Sequence, residues 1–152
     1  MKRLLLALLL VALFIAPAQA MKVLETATTC TGTDVTITTT TEKLIASQQI
    51  SIPSITTFYV RVRVYGTMTT GADSTAYIVA VRRTNISGTV LGGQINEAVK
   101  IAAGGIEAFF FEWIEERNGD FASLTYASTV DMVGATADTT VTQNCITVDI
   151  LN

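Results

Sequence analysis

After its first twenty residues the chain reads almost entirely as short β-strands rich in threonine and valine, separated by glycine-containing turns. From Met21 onward it contains 25 Thr, and the whole sequence contains no His. β-Branched side chains are stiff at χ1 and suit a pleated, half-buried surface better than a helix. Many short strands separated by glycine turns fold as a sandwich or a barrel.

Alternation of apolar and polar positions predicts strands at residues 34–41, 43–52, 58–65, 76–83, 95–101, 106–114, 121–130 and 139–151. Residues 85–93 mix a turn with a short strand. The clearest strand is 58–65: Phe58, Val60, Val62 and Val64 face one way, and Tyr59, Arg61, Arg63 and Tyr65 face the other. Residues 66–73 read as a loop, Gly104-Gly105 and residues 134–138 as turns. No amphipathic helix of useful length is present. The expected fold is all-β, a jelly-roll β-sandwich of about eight strands in one domain over residues 21–152. In that topology the first and last strands are neighbours.

Residues 1–20 read as a cleavable signal peptide. Lys2 and Arg3 precede an apolar run from Leu4 to Ile15, and Ala18-Gln19-Ala20 is a small-residue cleavage site. The twelve-residue run is shorter than the roughly 20 residues of a membrane span. The expected setting is therefore secreted, extracellular or periplasmic, with no membrane contact after cleavage. Met21-Lys22 follows the site directly and would itself serve as a protein start.

The net charge is −3, and −5 without the two basic leader residues. An acidic surface repels phosphate backbones, so nucleic acid is not an expected partner. Cys30 and Cys145 suggest one disulfide in an exported chain; two buried free thiols are the alternative if the chain folds in a cytoplasm. A disulfide requires the segment at Cys30 to lie beside the last strand.

The absence of His removes the commonest general base and metal ligand. No phosphate-binding loop, Cys-x-x-Cys or nucleophile-elbow motif occurs, so neither enzyme activity nor a cofactor or metal is expected. Glu112, Glu115 and Glu116 admit a paired-carboxylate or Ca²⁺ reading, but a solvated strand end explains them more simply. Tyr59, Arg61, Arg63 and Tyr65 form a candidate binding face for a glycan or a cell-surface partner, or an ordinary outer sheet face. Asn85-Ile86-Ser87 matches a glycosylation acceptor.

The strand at 106–114 is apolar on both faces. Phe110 shares a face with Ile106, Ala108 and Ile114, and Phe109, Phe111 and Trp113 occupy the other. A sandwich strand is normally apolar on one face. The second face suggests subunit association, with Phe109, Phe111 and Trp113 as the candidate interface.

Several segments together resemble a known group. They are the Thr-rich stretch Val35–Thr41, Ile50-Ser51-Ile52-Pro53, the Val-Arg-Val-Arg-Val strand from Val60 to Val64, and a Gly-Thr-rich loop before a strand ending Arg82-Arg83. Ser87–Gly92, an Ala-Gly-Gly turn and a Val-Gly-Ala-Thr-Ala-Asp turn complete the pattern. The chain resembles small jelly-roll structural proteins of tailed-phage and other viral sequences. The resemblance implies a virion- or tail-associated domain with a tumour-necrosis-factor-like sandwich, a homotrimer, and no cofactor or catalytic residue. The leader and the cysteine pair depart from it. A secreted monomeric binding module and an extracellular fibre subunit that exchanges a terminal strand are the other two readings.

Overall fold

The computed structural model describes residues 21–37, 41–70, 76–97, 105–133 and 139–152. The leader, Thr38–Thr40, the turn at 134–138 and the end of the strand expected at 95–101 lie outside them. So does Gly104.

Nine strands follow one another: β1 (Val23–Thr31), β2 (Val35–Ile37), β3 (Lys43–Ser51), β4 (Thr57–Thr70), β5 (Ala76–Arg83), β6 (Val90–Glu97), β7 (Ile106–Asn118), β8 (Ser123–Val133) and β9 (Thr139–Leu151). No helix occurs among the described residues, and none could therefore cross a membrane. One sheet has the order β1-β9-β4-β7, with β2 also pairing β9; the other has the order β3-β8-β5-β6. All pairings are antiparallel. The chain changes sheets at most of its connections, and its first and last strands lie side by side. This is a jelly roll.

The core lies between the sheets. Val60, Val62 and Val64 of β4 are fully buried, beside Ile146, Val148 and Ile150 of β9. Opposite them stand Val79 and Val81 of β5 and Tyr126 and Val130 of β8. Phe58 closes one end, edge-on to Phe121 at 6.4 Å between ring centroids. Burying a side chain of this kind stabilises the fold by roughly 1.5–3 kcal/mol.

Two expectations change. β1 is a strand that the alternation did not mark; it adds an edge beside β9. The loop expected from Gly66 is instead a continuation of β4 to Thr70. Gly66 serves close approach, not a turn: a Cβ there would lie 2.1 Å from the Gln143 backbone oxygen. β4 and β9 shift register just beyond it, between Thr67 and Met68.

Candidate functional site

The outer face of the β1-β9-β4-β7 sheet carries the residues that the sequence singled out. Strand register lays them in rows from β1 to β7. One row is Thr26, Asp149, Arg61 and Ile114; the next is Thr28, Thr147, Arg63 and Glu112; the third is Cys30, Cys145, Tyr65 and Phe110.

Tyr59, Arg61, Arg63 and Tyr65 do share the outer face of β4, but the two arginines are engaged within the fold. Arg61 Nε donates to Asp149 Oδ2 at 2.8 Å, and Arg63 donates to the same oxygen from its terminal nitrogen at 2.9 Å. Thr26 Oγ1 donates to Asp149 Oδ1 at 2.8 Å. Asp149 is 1% exposed although it sits on the outer face. Both arginines remain partly exposed, at 29% and 34%, while the carboxylate they share is withdrawn from water. A buried carboxylate needs such pairing, because desolvation penalises it strongly when it is alone. Sequence reasoning missed Asp149. It is the single acid of β9, flanked by Val148 and Ile150, on the same alternating face as Thr147 and Cys145.

Cys30 and Cys145 form a disulfide across the third row, on the outside of the sheet. The geometric demand that the pair made of the fold is met, since β1 lies against β9.

The candidate interface needs correction. Phe109 and Phe111 are 7% and 6% exposed and belong to the core between the sheets, and Trp113 packs against that core. β7 is turned over relative to the sequence reading. Its outward residues are the other set: Ile106 is 75% exposed, Phe110 60% and Ile114 47%. Large rings fill the gap between two sheets about 10 Å apart better than Ile and Ala do. Tyr65, 40% exposed, stands beside Phe110 across the strand pair. A hollow of about 260 Å³ opens next to this pair, lined by Tyr65, Gly66, Thr67, Ala108, Gln143 and Cys145 among others.

The three glutamates do not converge. Glu115 points inward, accepting from Arg83 at 2.6 Å and from the Tyr126 hydroxyl at 2.6 Å. Burial pushes the Tyr126 phenol far above its ordinary value, and the Glu115 carboxylate adds to the effect. Glu112 and Glu116 are exposed on the opposite face of the strand, and Glu116 accepts from Asn118 at 3.3 Å. Arg117 covers the Phe121 ring at 4.7 Å and seals the same end of the core. Among the described residues no three His, Cys, Asp or Glu side chains are grouped to hold a metal ion. Asn85 lies in an exposed turn, its side-chain oxygen accepting from the Ser87 backbone N–H at 2.9 Å.

This face sets the ion-paired cluster of Arg61, Asp149 and Arg63 beside an apolar ridge of Ile106, Phe110 and Ile114, in which the exposed Glu112 stands.

No family model and no curated protein matches the sequence. Solved structures do match the fold. A chain from the structure of infectious bursal disease virus, Gt strain, aligns at a TM-score of 0.53 and 11% identity, over 86% of this chain and 33% of that one. The Gx strain gives 0.52 and 11%, over 86% of this chain and 32% of the other. This chain thus spans about a third of the viral chains it matches. A xylan-binding domain from Paenibacillus barcinonensis Xyn10C aligns at only 0.40 and 14%, over 89% of this chain and 98% of that domain. At these identities the shared property is the β-sandwich.

Proposed function

We propose that this chain is a non-enzymatic structural subunit that self-associates into a particle or fibre, in a virion or outside the cell. The observation that carries the reading is the second apolar face of β7. Its inward rings complete the subunit's own core, yet Ile106, Phe110 and Ile114 stand in solvent on the other side. Three large apolar side chains exposed along one strand, with Tyr65 beside Phe110, are the kind of surface that association buries. The jelly roll shared with virus chains supports the same reading. The trimer is an implication of the sequence resemblance and is not part of this proposal. The leader-like residues 1–20 are the ground for proposing export.

Light scattering after size exclusion tests this, on the purified protein over a range of concentrations, with and without reductant. A stable oligomer supports the reading. A monomer at every concentration defeats it.

A second reading, a secreted glycan-binding module, is favoured by Tyr65 beside the hollow with Gln143 on its wall. Aromatic faces with adjacent amides suit sugars. A glycan array in which Tyr65→Ala abolishes a signal would support it, and an array without signal counts against it. Exchange of the first strand is less favoured, because the disulfide fastens β1 to β9 within one chain.

A further inference from the structure

Edge strands expose unpaired backbone groups, and folds protect them with bulges, short lengths, prolines or lysines. The four edges here differ. β1 pairs β9 through a register shift at Val23/Glu25, β3 pairs β8 through one at Leu44/Ala46, and β6 pairs β5 through one at Val79/Val81. β7 pairs β4 from Thr57↔Asn118 to Thr69↔Ile106 with no shift. It is 13 residues long and contains neither Pro nor Lys. Among the described residues its other side has no strand partner.

The exposed ridge also lies on this edge strand, and its residues are self-complementary. In an antiparallel pairing of two β7 strands centred on Phe110, Phe110 meets Phe110 and Ile106 of each copy meets Ile114 of the other. Glu112 meets Ala108, so no carboxylates oppose each other on this face. On the inward side Phe109 meets Phe111, and the two cores join. Neighbouring registers lose this match. Centring on Phe111 sets Phe110 against Glu112, and centring on Glu112 sets two carboxylates face to face. A slip by one residue pairs core positions with outer ones. A two-fold contact requires that each residue meet its own reciprocal partner, and this pattern does so.

We infer that the occupant of the β7 edge is a second copy of this chain, paired antiparallel about a two-fold axis at Phe110. The two β1-β9-β4-β7 sheets then run as one continuous sheet, with the Phe110 and Ile106/Ile114 rows forming a shared apolar seam. This deepens the self-association proposed above and rests on it.

Two measurements on the purified protein test the pairing. Phe110→Lys, at an exposed site, is expected to halve the solution mass relative to the unmodified protein while leaving the melting temperature nearly unchanged. In the second, Ile106→Cys and Ile114→Cys proteins are mixed under mild oxidant. A covalent dimer is expected from the mixture and from neither alone, whereas Phe110→Cys is expected to cross-link to itself. An oligomer that survives Phe110→Lys, or cross-links that ignore the 106–114 partnership, overturns this interface and leaves self-association through another face. A monomeric unmodified protein overturns both.

Discussion

Cys30 and Cys145 are direct cross-strand partners, 4.1 Å apart at Cα, and their disulfide closes a separation of 115 residues. It fastens an edge strand of mixed, largely polar composition that the core alone holds weakly. In the chain-entropy account a loop of this size is worth about 5 kcal/mol. Replacing both cysteines by Ser is expected to lower unfolding free energy by up to that amount, read from denaturant melts. Cys30 is exposed, so reductant should open the bond in the native state, detectable as two free thiols before unfolding. Unchanged stability after the double replacement would refute the role given to the bond.

Arg61 and Arg63 share one carboxylate, and removing them has an asymmetric consequence. Arg61→Ala or Arg63→Ala alone leaves Asp149 one cationic partner and should cost about 1 kcal/mol. The double replacement leaves a buried charge unpaired and should cost about 3–5 kcal/mol, more than the two single effects together. Chemical denaturation of the two singles and the double measures this directly. Additive small losses would mean that Asp149 finds other solvation.

The parts of this fold that sequence revealed are those where one face is apolar and the other polar. Phe58, Val60, Val62 and Val64 alternate with Tyr59, Arg61 and Arg63, and the former are buried as expected. The bounds of β5 and β9 coincide with the expected strands for the same reason. β7 carries no such contrast, because both of its faces are apolar. Alternation then separates the faces without saying which is inside, and the larger rings take the core. β1 offers little apolar contrast, and its place is fixed by β9 and the disulfide. Asp149 became a site residue only through the β4·β9 register, which no local pattern encodes.

Glu42 accepts from Arg82 Nε at 2.7 Å and from Thr129, whose side chain is fully buried. Burial pushes its carboxyl up, but the Arg82 and Thr129 hydrogen bonds and the Arg82 charge more than offset this, and the net shift is downward. A carboxyl whose folded pKa is depressed stabilises the fold above its unfolded value. That contribution disappears as pH falls through the lower folded value. Glu42→Gln should therefore be less stable than the parent at neutral pH, and the gap should close below the usual carboxylate range. Thermal melts of both proteins across acid pH decide the matter; a gap independent of pH would contradict it.

Gly66 allows β9 to pass where any side chain would collide. Besides the Gln143 oxygen, a Cβ would meet Phe109 Cζ at 2.7 Å and Asn144 Cα at 3.0 Å. Two of these atoms are backbone, and the ring is packed in the core, so none can yield cheaply. Its backbone needs no left-handed conformation, so the constraint is space. Gly66→Ala should cost about 1–3 kcal/mol, the usual range for overpacking a filled site. The strain falls on β9 at Gln143–Asn144, two residues or fewer from Cys145, and so reaches the wall of the hollow. Hydrogen exchange should accordingly show faster exchange at the β4·β9 amides around Gly66 than in the parent, with β5 and β8 unaffected. A fully stable Gly66→Ala protein would mean that the β9 backbone can move aside at this point.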